Sequence, residues 1–275
     1  MINRLTVIKS HRQLGLPSFS EMYFFRELLL VLTFRDIKIR YKQAAIGVMW
    51  VIVQPVITMI VMTIIFGKLA KMPSEGIPYP VFVMTGLLPW LYFSKALTQG
   101  SMSMVSMQGM LTKVYFPRIF APLAEVLSGL VDLAIGMVIL MLMLMWYGIT
   151  PSSKLFALPL IVLLLVVNAF AISLWLSAMN IEYRDVQFLL PFVSQIWMYL
   201  TPIVYPISMI PEQWKWLYML NPISGAIDAF RWILLENYAT PSLTHMGISL
   251  GFTLLILVGG LIYFDHSQRT LPDRV

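Results

Sequence analysis

Cysteine is absent from all 275 residues, which excludes disulfides, thiolate metal ligands and a cysteine nucleophile and leaves the redox compartment open. Charge is scarce as well, with Asp, Glu, Lys and Arg making up only 12 % of the chain. The three histidines, His11, His245 and His266, lie at termini or loop edges, too scattered for a metal centre or a catalytic triad. No Gly-x-x-x-x-Gly-Lys-Ser/Thr phosphate loop occurs, so ATP cannot be held here by that device, and Gly-x-Ser-x-Gly is missing too. These absences predict a chain that is not an enzyme by itself and that carries no metal or cofactor of its own. The first 20 residues mix Arg4, Lys9, His11 and Arg12 with polar residues and lack the apolar core of a cleavable signal peptide. Neither a 20–50-residue repeat nor an inverted repeat of broken helices is visible.

Apolar surface, by contrast, is abundant. Fifty-nine per cent of residues are hydrophobic and the mean hydropathy is +0.81, more than a soluble domain of this length can hide. Residues 35–55 show the consequence most clearly: a basic, potentially helical approach runs into an uncharged apolar segment over 43–67. As a helix that segment reaches about 37 Å, enough to cross a bilayer with some tilt. The basic approach cannot enter lipid cheaply, so it is expected at the membrane surface as an interfacial helix.

Five further apolar stretches follow, at 80–104, 123–147, 155–181, 186–205 and 243–264. Six spans place both termini on one side. Thirteen Lys/Arg fall on that side, including Arg184, Arg269 and Arg274; Lys68, Lys71, Lys154, Lys215 and Arg231 fall on the other. The net charge of +6 thus reads as a topology signal, with both termini cytoplasmic, rather than a nucleic-acid footprint. The predicted organisation is a cytoplasmic arm and interfacial helix over 1–43, a membrane domain over 44–265 and a cytoplasmic tail over 266–275. Residues 100–110 are rich in small side chains and predict a helix end loosening into a loop.

Between Tyr205 and Pro241 the pattern changes. Pro206, Pro211 and the Asn221-Pro222 break frame two helical patterns, 212–220 and 223–238, too short or too charged to span but rich in Trp, Leu and Met. Trp214, Trp216 and Trp232 suit the headgroup level, and the pair is read as two re-entrant helices dipping into the outer leaflet; an amphipathic surface loop is the alternative. The fold class is therefore all-α and integral to the membrane.

Within the spans, Glu125 and Asp132 share one face of the third, with Pro122 placing Glu125 in a first helical turn. Lys95 of the second span is in reach of pairing with one of them, a structural pair more readily than a proton relay. On the basic approach, Arg35, Lys38 and Lys42 share one helical face and Phe34, Ile37 and Tyr41 another. Such a helix is a stop-transfer flank or a docking site for a cytoplasmic partner. Lys113-Val-Tyr-Phe-Pro-Arg-Ile-Phe-Ala-Pro122 favours docking: an aromatic and basic segment bracketed by prolines, too apolar for a solvated loop.

Arg35-Asp36-Ile37 with Arg40-Tyr41-Lys42, Gly47, Trp50 and Gln54-Pro55 resembles the opening of type-2 ABC exporter permeases for lipid-linked polysaccharide. The likeness continues, in order, through Gly86-Leu87-Leu88-Pro89-Trp90, Lys113 to Arg118, Asn180 to Asp185, Leu200 to Pro206, Leu220-Asn-Pro222 and Ala229 to Trp232. It covers about residues 23 to 265. The resemblance implies a homodimer in the bacterial inner membrane with two copies of a separate cytoplasmic P-loop ATPase, which would hold ATP and Mg2+. It implies a lipid-linked glycan as cargo, of O-antigen, capsule or teichoic-acid type, and no nucleic acid. Arg35, Lys38, Arg40, Lys42, Lys113, Tyr115, Phe116 and Arg118 are then the expected ATPase-docking residues. Tyr205, Trp214, Trp216, Asp228, Arg231 and Trp232 belong to an external gate. For the glycan path, aromatic faces stack on sugar C–H surfaces without gripping any one hydroxyl, and Trp50, Trp90, Tyr92, Phe93, Trp197 and Tyr199 are the candidate walls. Glu182, Arg184 and Asp185 pair among themselves or assist docking. Export of a drug or another lipid-linked substrate, an ion-coupled carrier, and an enzyme acting on lipid-linked sugar are the rival readings.

Overall fold

The computed structural model describes residues 18–42, 47–111, 113–183, 185–236 and 238–269. Arg4, Lys9, His11 and Arg12, the expected start of the first span at 43–46, Arg184 and the tail after Arg269 lie outside the described residues. Every element among the described residues is a helix, apart from an isolated β-bridge between Pro151 and Leu235.

Ser18 opens α1 (Phe19–Phe24), its hydroxyl accepting from the Glu21 amide at 3.2 Å, as the Ser-x-x-Glu spacing favours. After Phe25 comes α2 (Arg26–Lys42), then α3 (Gly47–Met62), which widens into a π-helical end at Thr63–Leu69. Next are α4 (Tyr79–Ser106), the short α5 (Gln108–Leu111), α6 (Phe120–Trp146) and α7 (Leu158–Glu182). The chain closes with α8 (Val186–Leu200), α9 (Glu212–Met219), α10 (Pro222–Leu234) and α11 (Leu243–Arg269). Prolines stand in the first turns of α4, α7 and α10, where the missing N–H costs no helical bond.

Among the described residues, five helices are long and apolar enough to cross a membrane: Met49–Leu69, Tyr79–Met110, Phe120–Trp146, Ser153–Glu182 and Leu243–Gln268. The expected fifth span, 186–205, forms instead the 15-residue α8, about 22 Å long. The reason is local. Thr201 precedes Pro202, and the proline ring forces it out of the helical region to φ −99°, ψ 140°. The chain from Thr201 to Val204 then stays buried without forming a helix. Two other boundaries differ from expectation. Residues 100–106 remain helical, packed where Gly100 lets α7 approach closely, with the Ser101, Ser103 and Ser106 hydroxyls satisfied by carbonyls three residues earlier. And α6 begins at Phe120, so Glu125 lies in its second turn, not its first.

The central element is α4, packed by α3, α6, α7, α8 and α10, and most of its side chains are buried. One apolar core surrounds its first two-thirds. A second gathers Leu32, Met104, Met107, Phe116, Ile119, Phe120 and Phe264 beneath α2. Outside this packing, α3, α6, α8 and α11 present large apolar side chains, among them Ile57, Leu142, Phe192 and Leu255, as helices do that face lipid or another apolar surface.

Candidate functional site

Three places in the molecule bring polar or aromatic side chains together, and the expected site residues distribute themselves among these places unevenly.

The first is the face of α2. Leu32, Thr33 and Asp36 are buried, while Val31, Phe34 and Ile39 are exposed beside Lys38 and Lys42. Arg35, Lys38 and Lys42 share one face as expected, but Phe34 lies on it beside them while Tyr41 bonds inside the bundle. Polar partners inside the bundle draw Arg40 and Tyr41 inward, and with them the helix rotates Phe34 outward. Arg35 bonds to its neighbour Asp36 at 2.7 Å. Burial pushes the Asp36 carboxyl above the usual carboxylate range, with Arg35 pulling the other way. Lys113 and Tyr115 are exposed, and Tyr115 packs against Phe25, just before α2, while its hydroxyl donates to Glu21 of α1 at 3.0 Å. Phe116, expected on an exposed apolar knob, is instead buried in the second core. Arg118 donates to the backbone carbonyl of Gln268, tying the 113–119 segment to the end of α11.

Arg40 leads to the second place. It was expected on the docking surface; its guanidinium instead enters the bundle, with side-chain exposure of 15 %. There Nη1 donates to Asp132 at 2.9 Å, and Nη2 bonds to Gln99 and to Ser128 and lies 3.6 Å from Glu125. Asp132 also accepts from the Tyr41 hydroxyl and from Lys95 Nζ, the latter at 2.5 Å. The anticipated pairing of Lys95 with an acidic residue of the third span is therefore realised at Asp132. Helices α2, α4 and α6 meet on one carboxylate. Two carboxylates face two cations, which is how charge is retained at a half-buried site without stranding any one group. Gln99 and Ser128 were missed by sequence reasoning; only their placement opposite Arg40 reveals them. At the end of α7, Glu182 accepts from Tyr263 at 3.2 Å and Ser267 at 3.4 Å, both on α11.

The aromatic candidates divide likewise. Trp90, Tyr92 and Phe93 are almost wholly buried, and Trp197 of α8 meets Trp90 and Phe93 in edge-to-face contacts at 6.3 and 5.2 Å. These rings pin α8 to α4, and the Trp197 indole donates to Asn221 at 3.1 Å. Trp50 and Tyr199 are more than half or about half exposed. Trp50 and Tyr92 flank a cavity that also contains Lys95 and Asp132.

The third place is the layer formed by α9 and α10. Trp214 and Trp216 are exposed and Trp232 is half-buried, with Lys154 Nζ 4.6 Å from the centre of its ring. Tyr205 bonds to Tyr218 and to the Tyr199 carbonyl, each at 2.9 Å. Asp228 accepts from Tyr238 at 2.8 Å and has His245 3.8 Å away. Arg231, expected in a gate, is completely buried. It donates to the carbonyls of Pro202 and Ile203 at 2.7 Å each and of Phe82 at 3.3 Å, and lies 3.9 Å over the Phe82 ring. No carboxylate is hydrogen-bonded to it among the described residues. Its role follows from the break after α8: non-helical backbone buried at 201–204 leaves carbonyls without helical donors, and the guanidinium supplies them.

The profile of the family described as ABC-2 type transporter matches residues 27–235. The chain belongs to that family. Its relatives agree over nearly full length. An O-antigen export system permease protein RfbA of Klebsiella pneumoniae is 30 % identical over 254 residues, 91 % of this chain and 95 % of the relative. The RfbA protein of Myxococcus xanthus is 27 % identical, over 90 % of this chain and 96 % of its own. The polysialic acid transport protein KpsM of Escherichia coli is 23 % identical, over 86 % of this chain and 92 % of its own. The ABC-2 match takes in α2 through α10, and so contains both the Asp132 cluster and the Arg231 anchor.

Proposed function

We propose that this chain is the membrane-spanning permease subunit of an ATP-driven exporter, moving a lipid-linked polysaccharide of O-antigen or capsule type out of the cytoplasm. The observation that carries the reading is the near-complete coverage of O-antigen and polysialic acid transport proteins in an ABC-2 family chain. ATP is hydrolysed by a separate P-loop subunit, and two copies of the permease form the channel in the inner membrane. In this reading α8 with the buried run after it makes the fifth of six crossings, both termini are cytoplasmic, and α9 and α10 are the re-entrant external pair.

The docking surface is narrower than the motif. Lys38, Lys42, Lys113 and Tyr115 are exposed and Arg35 half-exposed, so these five meet the ATPase. Arg40, Phe116 and Arg118 hold that surface in place from within. For the glycan path, Trp50 and Tyr199 are the exposed rings, and Trp90, Phe93 and Trp197 set the position of α8 behind them. Among the external residues, Trp214 and Trp216 face outward at the gate, while Asp228 and Arg231 brace it.

The test has two parts. The chain is purified from native membranes in mild detergent, with a stoichiometric P-loop ATPase expected to accompany it. Its gene is deleted, with loss of one surface polysaccharide expected. A chain recovered alone from several detergents, together with an unchanged cell surface, would sink the proposal and bring an ion-coupled carrier forward.

A further inference from the structure

Two cavities adjoin the Arg40–Asp132 pair from opposite sides. One, about 300 Å3, lies between α3, α4 and α6, lined by Trp50, Gln54, Tyr92, Lys95, Thr98 and Asp132. The other, about 630 Å3, lies under α2, lined by Arg35, Asp36, Arg40, Gln99 and Glu125, and again by Thr98. Thr98 belongs to both. The Arg40 guanidinium lines the second and bonds to Asp132, which lines the first, and to Gln99 and Ser128. The polar bonds that the structure describes from α2 into the bundle run through Arg40 and its neighbour Tyr41, and Tyr41 also ends on Asp132. The junction between the cavities is therefore carried by α2, whose outer face holds the exposed Lys38 and Lys42.

The parts of this junction are separable. If α2 moves outward, Asp132 keeps Lys95, which stands on α4, and Arg40 passes towards the water-facing cavity. Asp132 keeps a cation while Glu125 loses the guanidinium 3.6 Å away, so the closed pair is the resting arrangement and its release needs a partner that binds the displaced α2 better. The cavity beyond has a definite chemistry. Trp50 and Tyr92 offer aromatic faces, while Gln54, Ser94, Lys95 and Asp132 offer donors and acceptors. Apolar faces with a few convergent polar groups in about 300 Å3 suit one small polar molecule, and the mixture matches a sugar ring, with C–H faces and hydroxyl edges.

We propose that the Arg40–Asp132 pair is the shut state of a latch. Its release by displacement of α2 joins the two cavities into one polar path, along which a sugar unit enters beside Trp50. Asp132 and Arg40 are positioning residues for this step. The sugar assignment rests on the polysaccharide reading above; the latch does not.

The absence of native cysteine allows a direct test on the full-length chain with its co-purifying partner. Leu133→Cys places one thiol in the cavity beside Trp50, and its reaction with a charged, membrane-impermeant maleimide is followed in inside-out vesicles. Labelling is expected to be slow with the latch intact and at least tenfold faster when Asp132→Asn or Arg40→Gln is added. Leu91→Cys, which lines the same cavity, serves if the first reporter fails to accumulate. Gly259→Ala, whose new methyl meets Trp175 at 2.9 Å far from the latch, loosens the bundle without opening it and should leave labelling slow. Rates unchanged by either latch variant, or raised equally by Gly259→Ala, overturn the latch. If labelling accelerates as expected but deleting the gene leaves every surface polysaccharide in place, the latch stands and the sugar assignment falls. Loss of a polysaccharide with unmoved labelling rates refutes the latch alone.

Discussion

Two arginines enter the helix packing from opposite ends of this molecule and are treated in opposite ways. Arg40 meets carboxylates, with Asp132 at 2.9 Å and Glu125 at 3.6 Å, and keeps 15 % of its side chain exposed. Arg231 has no exposure and meets three backbone carbonyls and an aromatic ring. An ion pair near water can part, because each charge finds other partners on the way. A guanidinium bonded to backbone carbonyls has nowhere to go unless that backbone unfolds. Arg40 is thus suited to a moving joint and Arg231 to a fixed one.

The sharpest way to break this contrast is to remove each arginine in turn. Arg231→Met should cost about 3 kcal/mol or more, since several buried carbonyls lose their donors together. Thermal unfolding in detergent should show the loss, and Arg231→Lys should not repair it, because an ammonium cannot reach three carbonyls from one fork. Arg40→Gln leaves Asp132 with Lys95, so its midpoint should fall much less while polysaccharide export is lost. Equal damage to folding from both would erase the comparison.

Gly86 offers a finer probe of the fixed end. A methyl group there would lie 2.6 Å from Arg231 Nη2 and 3.2 Å from the Ile203 Cα, so Gly86→Ala should destabilise by about 1–3 kcal/mol. Gly109→Ala, with nothing within 4 Å, should be neutral or stabilising by a few tenths of a kcal/mol. The same unfolding assay separates them, and similar losses would show that close approach at Gly86 is not what matters. The smallest effect on folding belongs to the surface. Lys38→Ala with Lys42→Ala should change stability by less than about 0.5 kcal/mol, yet markedly reduce the ATPase recovered with the permease. Undiminished recovery would move the docking surface elsewhere.

Much of this architecture was legible in the residues. Long apolar runs over 80–104 and 123–147 became α4 and α6 with ends shifted by one to three residues, because hydropathy and length are summed over many positions and survive local exceptions. The proline-framed helices after Tyr205 appeared as α9 and α10 for the same reason that proline punctuates helices anywhere. The expected fifth span at 186–205 did not form as one helix, since a single Thr201-Pro202 step ends α8 and hydropathy does not register backbone conformation. Nor was the orientation of α2. Its periodicity groups Arg35, Lys38 and Lys42 apart from Phe34, Ile37 and Tyr41 without saying which face turns inward, and Arg40 was drawn inside by Asp132, ninety-two residues away.

Composition and order of residues thus determined the class, the number and rough limits of the apolar segments, and the kinship with ABC-2 permeases, all properties that add along the chain. Tertiary structure alone decided which charges are surface and which are joints. Arg40 and Lys38 are equally basic in sequence, and Arg231 is one more positive residue between two apolar stretches. Only the packing of α4 against α6 and of α10 against the break after α8 brings their partners within 3 Å, and the worth of a charge depends on what lies that near and on how much water remains.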